Sequence, residues 1–278
     1  MSSRERGPRT PPEVVSHYDR APEETRLESG PFRLEFVRTK ELLARVLPAP
    51  PATVADVGGG AGAYSAWLAG LGYQVHLLDA SPRLIEEARR RHAARERPIA
   101  SIAVGDACEL PFDDGSIEAV LLMGPLYHLP ESEDRSRALG EAWRVLSHGG
   151  VLAAAAISRF SSALAGLTLR LAGDSDFVRL RDRHLADGRH INDTGRIEYF
   201  TTAYMHRPDE LQAEVASAGF ADARVLGVEG PGWFLPDFDA QWEDPVLHKG
   251  LVDVARALES EPSMLGVSAH LLVIARRP

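Results

Sequence analysis

The chain has a single cysteine, Cys108, among its 278 residues. One thiol excludes an internal disulfide, and without a Cys-x-x-Cys pair there is no thiolate frame for structural zinc. The histidines are scattered at spacings that fit no common helix face, so no metal site is expected. Long apolar runs are also missing. The most apolar short stretch, Val151 to Ile157, falls far below the roughly 20 residues that span a bilayer. There is no excess of positive charge either, because the formal net charge is -9. That balance argues against nucleic acid, since a phosphate backbone is normally met by a basic stripe. Met1 to Pro12 is rich in arginine and proline and lacks the apolar stretch of a signal peptide. There is no internal repeat. These absences lead to the expectation of a cytoplasmic protein with no membrane or nucleic-acid partner, in which residues 1–12 form a disordered tail.

What is present suffices for a sizeable core. Hydrophobic residues make up 44% of the chain and charged residues 26%, ordinary values for a globular protein. Residues 13–278 are expected to form one domain. Residues 13–48 read as helical with a break at Gly30-Pro31, ended by Pro48, Pro50 and Pro51. From Thr53 to Ile157 (the 53–157 core) short apolar runs alternate with helical patterns: Thr53–Val57, Gln74–Leu78, Ile99–Val104, Ile117–Met123 and Val151–Ile157 read as strands. Such alternation predicts an α/β fold of parallel strands joined by crossover helices, its sheet covered on both faces. The rhythm lapses over 158–206, where two helical patterns precede a segment, Thr194–Tyr204, rich in aromatics and threonines. This is read as an insertion that covers a site. Alternation returns over 207–278, with strands at Ala223–Val228 and His270–Ala275.

Between the first strand and its helix lies Asp56-Val57-Gly58-Gly59-Gly60-Ala61-Gly62. Glycines at such a turn permit a sharp reversal and let a ligand approach the backbone. Alone, the pattern also satisfies the dinucleotide fingerprint, so an NAD-dependent oxidoreductase stays in view. Asp79 ends the second strand 21 residues after Gly58, where a carboxylate can accept from the ribose hydroxyls of an adenosine ligand or, more plainly, cap a helix. Asp106 follows the third strand and suits an adenine amino group, with Ala107 leaving room for the flat ring. Asp56 adds an acid that either bonds loop amides or attracts an ammonium group through water. Several carboxylates favour a cationic sulfonium ligand over a pyrophosphate, which is better served by amide donors free of nearby acids.

With these motifs in order, the sequence resembles the class I (Rossmann-like) S-adenosylmethionine-dependent methyltransferases of small-molecule type. The matching segments are Asp56-x-Gly58-x-Gly60-x-Gly62, Leu78-Asp79-Ala80, Gly105-Asp106-Ala107, Leu110-Pro111-Phe112 through Val120, and Glu141 to Leu146 before Gly149-Gly150. Gly59 stands where many members carry another small residue. The resemblance implies a seven-stranded, mostly parallel sheet with helices on both faces and an antiparallel last strand, an N-terminal helical segment, and a mainly helical lid after strand 5. It implies S-adenosylmethionine as cofactor, released as S-adenosylhomocysteine. It extends the cofactor set to Tyr18, Ala80, Met123 and Gly124, and to Arg38 as a partner for the methionine carboxylate, unless that arginine is simply a surface charge.

Methyl transfer needs the acceptor held close and in line, and a base only where the acceptor must lose a proton. His128, after the fourth strand in Gly124-Pro125-Leu126-Tyr127-His128, is the candidate catalytic group, as base or orienter. The ordinary alternative is a loop histidine bonded to a carbonyl. Tyr127, His128, His190, Tyr199, Tyr204 and Trp233 form the expected acceptor-binding set, a mostly apolar pocket with a few directional polar groups. The reading is an enzyme moving a methyl group to a small molecule. Its rivals are the oxidoreductase and a cofactor-binding module without catalysis.

Overall fold

A computed structural model describes residues 10–20 and 23–278. The strands are β1 (Thr53–Val57), β2 (Gln74–Asp79), β3 (Ser101–Val104), β4 (Ile117–Leu122), β5 (Leu146–Ser158), β6 (Arg189–His190), β7 (Ala203–His206), β8 (Ala221–Gly227) and β9 (His270–Arg276). The helices are α1 (Pro12–Arg20), α2 (Phe32–Ala44), α3 (Ala63–Leu71), α4 (Pro82–His92), α5 (Pro125–His128), α6 (Ser132–Val145), α7 (Ser161–Thr168), α8 (Ser175–Asp187), α9 (Pro208–Ser217), α10 (Phe238–Glu243) and α11 (Pro245–Leu258). Strands β3-β2-β1-β4-β5 are parallel neighbours in that order. The chain therefore moves outward from β1 in one direction through β3 and then returns to β1's other side at β4. That reversal opens a crevice at the carboxyl ends of β1 and β4, the place where such sheets take ligands.

Beyond β5 the sheet changes direction. The closing strand β9 pairs antiparallel with β5 on one side and with β8 on the other. The sheet has nine strands where seven were expected, because the insertion adds two short ones. β7 pairs in parallel with β5 at Ile157 and Ser158, past the last β4 partner at Ala154. β6 pairs antiparallel with β7. The aromatic and threonine content around Thr194–Tyr204 favours a pleated, half-buried surface, so two short strands join a lid whose longest elements are the helices α7 and α8. Its attachment at the carboxyl end of β5 holds it above the crevice.

Alternation along each strand explains why both faces are covered. Ala119 and Leu121 of β4 join a core with Leu42 and Leu43 of α2, Leu68 of α3, and Ile85 and Ala88 of α4. Val120 and Leu122 join a second core with Ala138, Leu139, Ala142 and Val145 of α6 and with Leu211 and Val215 of α9. Successive side chains point to opposite faces, so a continuous apolar run is what a doubly covered strand requires. α4 begins with Ser81, whose hydroxyl accepts from the Leu84 amide at 3.2 Å, and with Pro82 in its first turn, the arrangement that satisfies an orphan amide without losing a needed donor.

The N-terminal helices differ from expectation at one end. The expected disordered tail reached residue 12, yet α1 starts at Pro12, where a proline costs no helical hydrogen bond. Residues 1–9 of that expected tail lie outside the described residues. Among the described residues, no helix is long and apolar enough to cross a membrane.

Candidate active site

The crevice holds a cavity of about 370 Å³ lined by Gly58 and Gly60 after β1, Asp79 and Ala80 after β2, Asp106 and Ala107 after β3, and Met123 and Gly124 after β4. α1 and the 3₁₀ segment Glu23–Glu28 close it from above, with Tyr18, Glu23 and Arg26 on the wall. The glycine turn is built by backbone geometry. Gly58 and Gly60 have φ of 72° and 56°, values that L side chains rarely adopt. A Cβ on Gly58 would also lie 2.5 Å from Pro125 Cδ. Gly59 fits for a different reason: a Cβ there would lie 2.5 Å from Leu77 Cδ1 and 2.6 Å from Asp56 Oδ2.

Asp79 ties the turn to the second strand. Its Oδ2 accepts from the Gly60 amide at 2.8 Å, and its Oδ1 accepts from the Ser81 amide at 2.8 Å. A carboxylate oxygen has two lone-pair directions, so each retains one toward the cavity. Burial raises the Asp79 carboxyl above its ordinary range. This pair of acceptors suits vicinal ribose hydroxyls, and the small Ala107 beside Asp106 suits a flat ring. The residues present thus fit an adenosine-bearing cofactor of the S-adenosylmethionine kind.

Three expected cofactor residues lie off the cavity wall. Asp56 is fully buried behind the glycine turn, where its Oδ2 accepts from Ser65 Oγ at 2.6 Å and its Oδ1 has no partner. Burial, assisted by the charge of Asp79, pushes its carboxyl up to about 6. There it braces α3 against the turn through Ser65. Gly62 is the left-handed residue before α3 and turns the chain without facing the cavity. Arg38 is a correction of another kind. It is fully buried, and its guanidinium is spent on Glu41, Glu259 and the Val228 carbonyl. A cation so enclosed ties α2 to the C-terminal region and does not line the cavity where a methionine carboxylate would lie.

His128 lines the cofactor cavity with both ring nitrogens engaged. Tyr18 Oη lies 2.7 Å from Nε2, and Nδ1 lies 3.3 Å from the Thr202 carbonyl. A carbonyl only accepts, so Nδ1 carries the proton and Nε2 accepts from the phenol. Burial lowers the imidazole to about 3, which keeps it neutral. His128 is therefore occupied in joining α1, α5 and the lid.

A second cavity of about 1040 Å³ adjoins the first, and Tyr18, Glu23, Arg26 and Tyr127 line both. Its walls are largely apolar: Phe177, Tyr199, Phe200, Met205, Trp233 and Phe234. Of the expected acceptor set, Tyr127, His190, Tyr199 and Trp233 line it. Trp233 Nε1 donates to the Val267 carbonyl at 2.9 Å, leaving its ring as wall. His190 is fixed by the Tyr199 carbonyl at 2.7 Å, and the Tyr199 phenol is fixed by Asp174 at 2.5 Å. Tyr204 is a correction. Its ring is covered by the Arg135 guanidinium, 3.7 Å from the centroid, and its hydroxyl accepts from Arg159 at 3.2 Å. It anchors β7 and lines neither cavity.

The sequence reading missed a charged cluster on this second cavity. Arg26 Nη1 and Nη2 meet the two oxygens of Glu35 at 2.6 and 3.0 Å. His270 Nδ1 lies 2.5 Å from Glu229 Oε1 and 3.7 Å from Glu35 Oε2. Glu229 Oε2 accepts from Ser268 Oγ at 2.7 Å and from the His270 amide at 3.0 Å. Arg26 and Glu35 come from the N-terminal region and Glu229 and His270 from the C-terminal one, so no local spacing signals the cluster.

The sheet order, the crevice at its switch point and the acidic strand ends define the class I, Rossmann-like methyltransferase architecture. Residues 55–154 match the family model described as a methyltransferase domain. The chain is 36% identical over 138 residues to a demethylmenaquinone methyltransferase of Clavibacter sepedonicus, covering 50% of this chain and 52% of that one. It is 36% identical over 105 residues to a probable tRNA methyltransferase 9B of Mus musculus, covering 37% and 21%. The matches span at most about half the length of these curated relatives. Among solved structures, the methyltransferase complexed with the Trm112 methyltransferase activator of Haloferax volcanii superposes with a TM-score of 0.60 at 20% identity, covering 95% of this chain and 97% of that one.

Proposed function

We propose that this protein transfers a methyl group from S-adenosylmethionine to a small acceptor with a large apolar body. The observation that carries the reading is the pair of adjoining cavities at the carboxyl ends of β1 and β4, which share Tyr18, Glu23, Arg26 and Tyr127. One has the acids and glycines for an adenosine-bearing sulfonium. The other has the volume and aromatic walls for an acceptor, and aromatic surface is the largest apolar contribution a pocket can offer.

When bound, the cofactor supplies a methyl carbon already activated by sulfonium. The protein's share is positioning. Asp79 would hold the ribose, Asp106 and Ala107 the adenine, and Gly58 and Gly60 the chain beside it. The wall common to both cavities would bring an acceptor atom into line, which is where most of the rate enhancement for such a displacement arises. His128 acts as a positioning residue through Tyr18. The acidic net charge of -9 and the enclosed apolar walls support a small acceptor over a nucleic acid.

Calorimetry with S-adenosylmethionine, S-adenosylhomocysteine and NAD tests the cofactor. Binding of the sulfur nucleotides with no binding of NAD is expected, and binding of NAD alone would overturn the reading. Release of S-adenosylhomocysteine across a panel of apolar hydroxylated, amine and thiol acceptors tests turnover. Tight cofactor binding without release against any of them would turn the reading to a non-catalytic module.

A further inference from the structure

The cluster of Arg26, Glu35, His270 and Glu229 is not absorbed by the cofactor site. Among the described residues, Glu35, Glu229 and His270 can bring one donor atom each within 4.8 Å of one another. These groups already satisfy one another in charge and hydrogen bonding: the Arg26 guanidinium meets both oxygens of Glu35, and Glu229 accepts from Ser268, the His270 amide and the His270 ring. The cluster therefore reads as a proton-bearing network and not as an ion cage. Arg26, Glu229 and His270 all face the large apolar cavity.

One atom in this network is left over. Nδ1 of His270 is committed to Glu229, whereas Nε2 has no hydrogen-bond partner among the described residues and is not among the enclosed unpaired atoms. The His270 side chain is 17% exposed and that of Glu229 only 2%. A buried carboxylate thus orients an imidazole that lines the large cavity and whose other nitrogen is free of protein partners among the described residues. Burial alone would depress this imidazole, but the charges of Glu35 and Glu229 outweigh it and hold it up at about 9, with Arg26 opposing them. Tyr64 of α3 stands near the same carboxylates and is itself pushed up by burial. At neutral pH the group is an N–H donor in an apolar, low-dielectric wall, where a charge-assisted hydrogen bond to an oxyanion is strong.

We infer that the Glu229–His270 pair binds the acceptor through a phenol or enol oxygen and favours its ionised form, so that the acceptor is a hydroxylated aromatic or enolic molecule. This rests on the proposed methyl-transfer reading, which it deepens. The step is an ionisation only. The acceptor O–H bond breaks, its electron pair stays on oxygen, and the proton leaves to solvent through the open side of the cavity. The imidazolium keeps its own proton and donates from Nε2 to the oxyanion. Hydroxyl and imidazole then titrate as a coupled pair, whose apparent values belong to both groups. An amine acceptor would gain nothing from a cationic donor at this place.

The test uses the full chain without cofactor. 4-Nitrophenol and 4-nitro-1-naphthol are titrated with pH in the presence and absence of protein, following the phenolate absorbance. For at least one probe, the bound phenol should ionise about one pH unit or more below the free phenol, equivalent to a tenfold preference for the phenolate. His270→Gln should abolish that shift, and Glu229→Gln should reduce it. Near-UV circular dichroism and S-adenosylhomocysteine affinity report whether each variant is folded. If His270→Gln fails to fold, Phe200→Ala and Trp233→Ala keep the proposal testable, because removing cavity wall should weaken binding of the same probes. Absence of a shift in the parent protein, including failure of both probes to bind at millimolar concentration, would overturn the inference, as would an equal shift in folded His270→Gln. Failure of S-adenosylhomocysteine to bind would instead overturn the methyltransferase reading, and the phenol titration would stand apart from it.

Discussion

The phenol of Tyr18 donates to Nε2 of His128 across 2.7 Å, joining two residues 110 positions apart. This bond fastens α1 to the first turn after β4 and so holds the roof of the cofactor cavity to its floor. Tyr18→Phe removes the donor, and His128→Ala removes the acceptor. Each should weaken S-adenosylhomocysteine binding by roughly fivefold, near 1 kcal/mol for one hydrogen bond. The double variant should lose little more than either single one, because both delete the same link. Calorimetry on the four proteins checks this. Losses that simply add would show that the two residues act separately.

Gly59 and Gly140 separate packing from propensity. Gly59→Ala forces a Cβ against Leu77 and the Asp56 carboxylate and should cost about 1–3 kcal/mol, as overpacking does. Gly140 lies exposed within α6 with nothing within 4 Å of a new Cβ. Gly140→Ala should stabilise by up to about 1 kcal/mol through helix propensity. Urea denaturation of both variants reads the two signs, and a neutral Gly59→Ala would refute the close packing behind the turn.

Asp79→Asn replaces an acceptor oxygen with an amide donor at the place where two backbone amides already point. One of those amides, or a ribose hydroxyl, is left without an acceptor. The cost of such a mismatch is about 1–3 kcal/mol, so S-adenosylmethionine affinity should fall by roughly tenfold to a hundredfold. Unchanged affinity by calorimetry would place the ribose elsewhere.

The raised imidazole of His270 makes a stability prediction with a definite sign. Its ordinary value is 6.5 and its folded value is about 9. A group raised on folding contributes stability that is fully present below the unfolded value and is lost as pH rises through the folded one. The stability advantage of the parent over His270→Gln should therefore be greatest below about 6.5 and should shrink toward pH 9. Denaturation midpoints taken across that window check it. An advantage that grows with pH would mean that Glu35 and Glu229 do not hold the imidazolium.

The parts legible in the sequence are those that local chemistry dictates. Glycines at positive φ after β1 must be glycines, and the proline and serine that open α4 are read from adjacent positions. The acids at Asp79 and Asp106 follow from where strands end. Arg38 was misplaced because sequence shows a charge but not its partners: Glu41 is three residues away, while Glu259 lies 221 residues away. Asp56 reads as a ligand-facing acid because its neighbours in sequence line the cavity, although its own side chain turns away from it toward Ser65. His270 carried no local signal, since Glu229 lies 41 positions before it and Glu35 reaches it from the N-terminal region. β6 has only two residues and is defined by its pairing with β7, and β7 lies outside the regular strand–helix alternation that marks the other strands.

The wall shared by the two cavities makes their occupancies interdependent. Tyr18, Glu23, Arg26 and Tyr127 are each bounded on two sides, and a side chain settled by one ligand meets the other already ordered. Whatever factor the nucleotide contributes to acceptor affinity, the acceptor must return to the nucleotide, because the two routes to the ternary complex close a thermodynamic cycle. The roof that carries three of these four residues would then transmit the same factor in both directions between the two cavities.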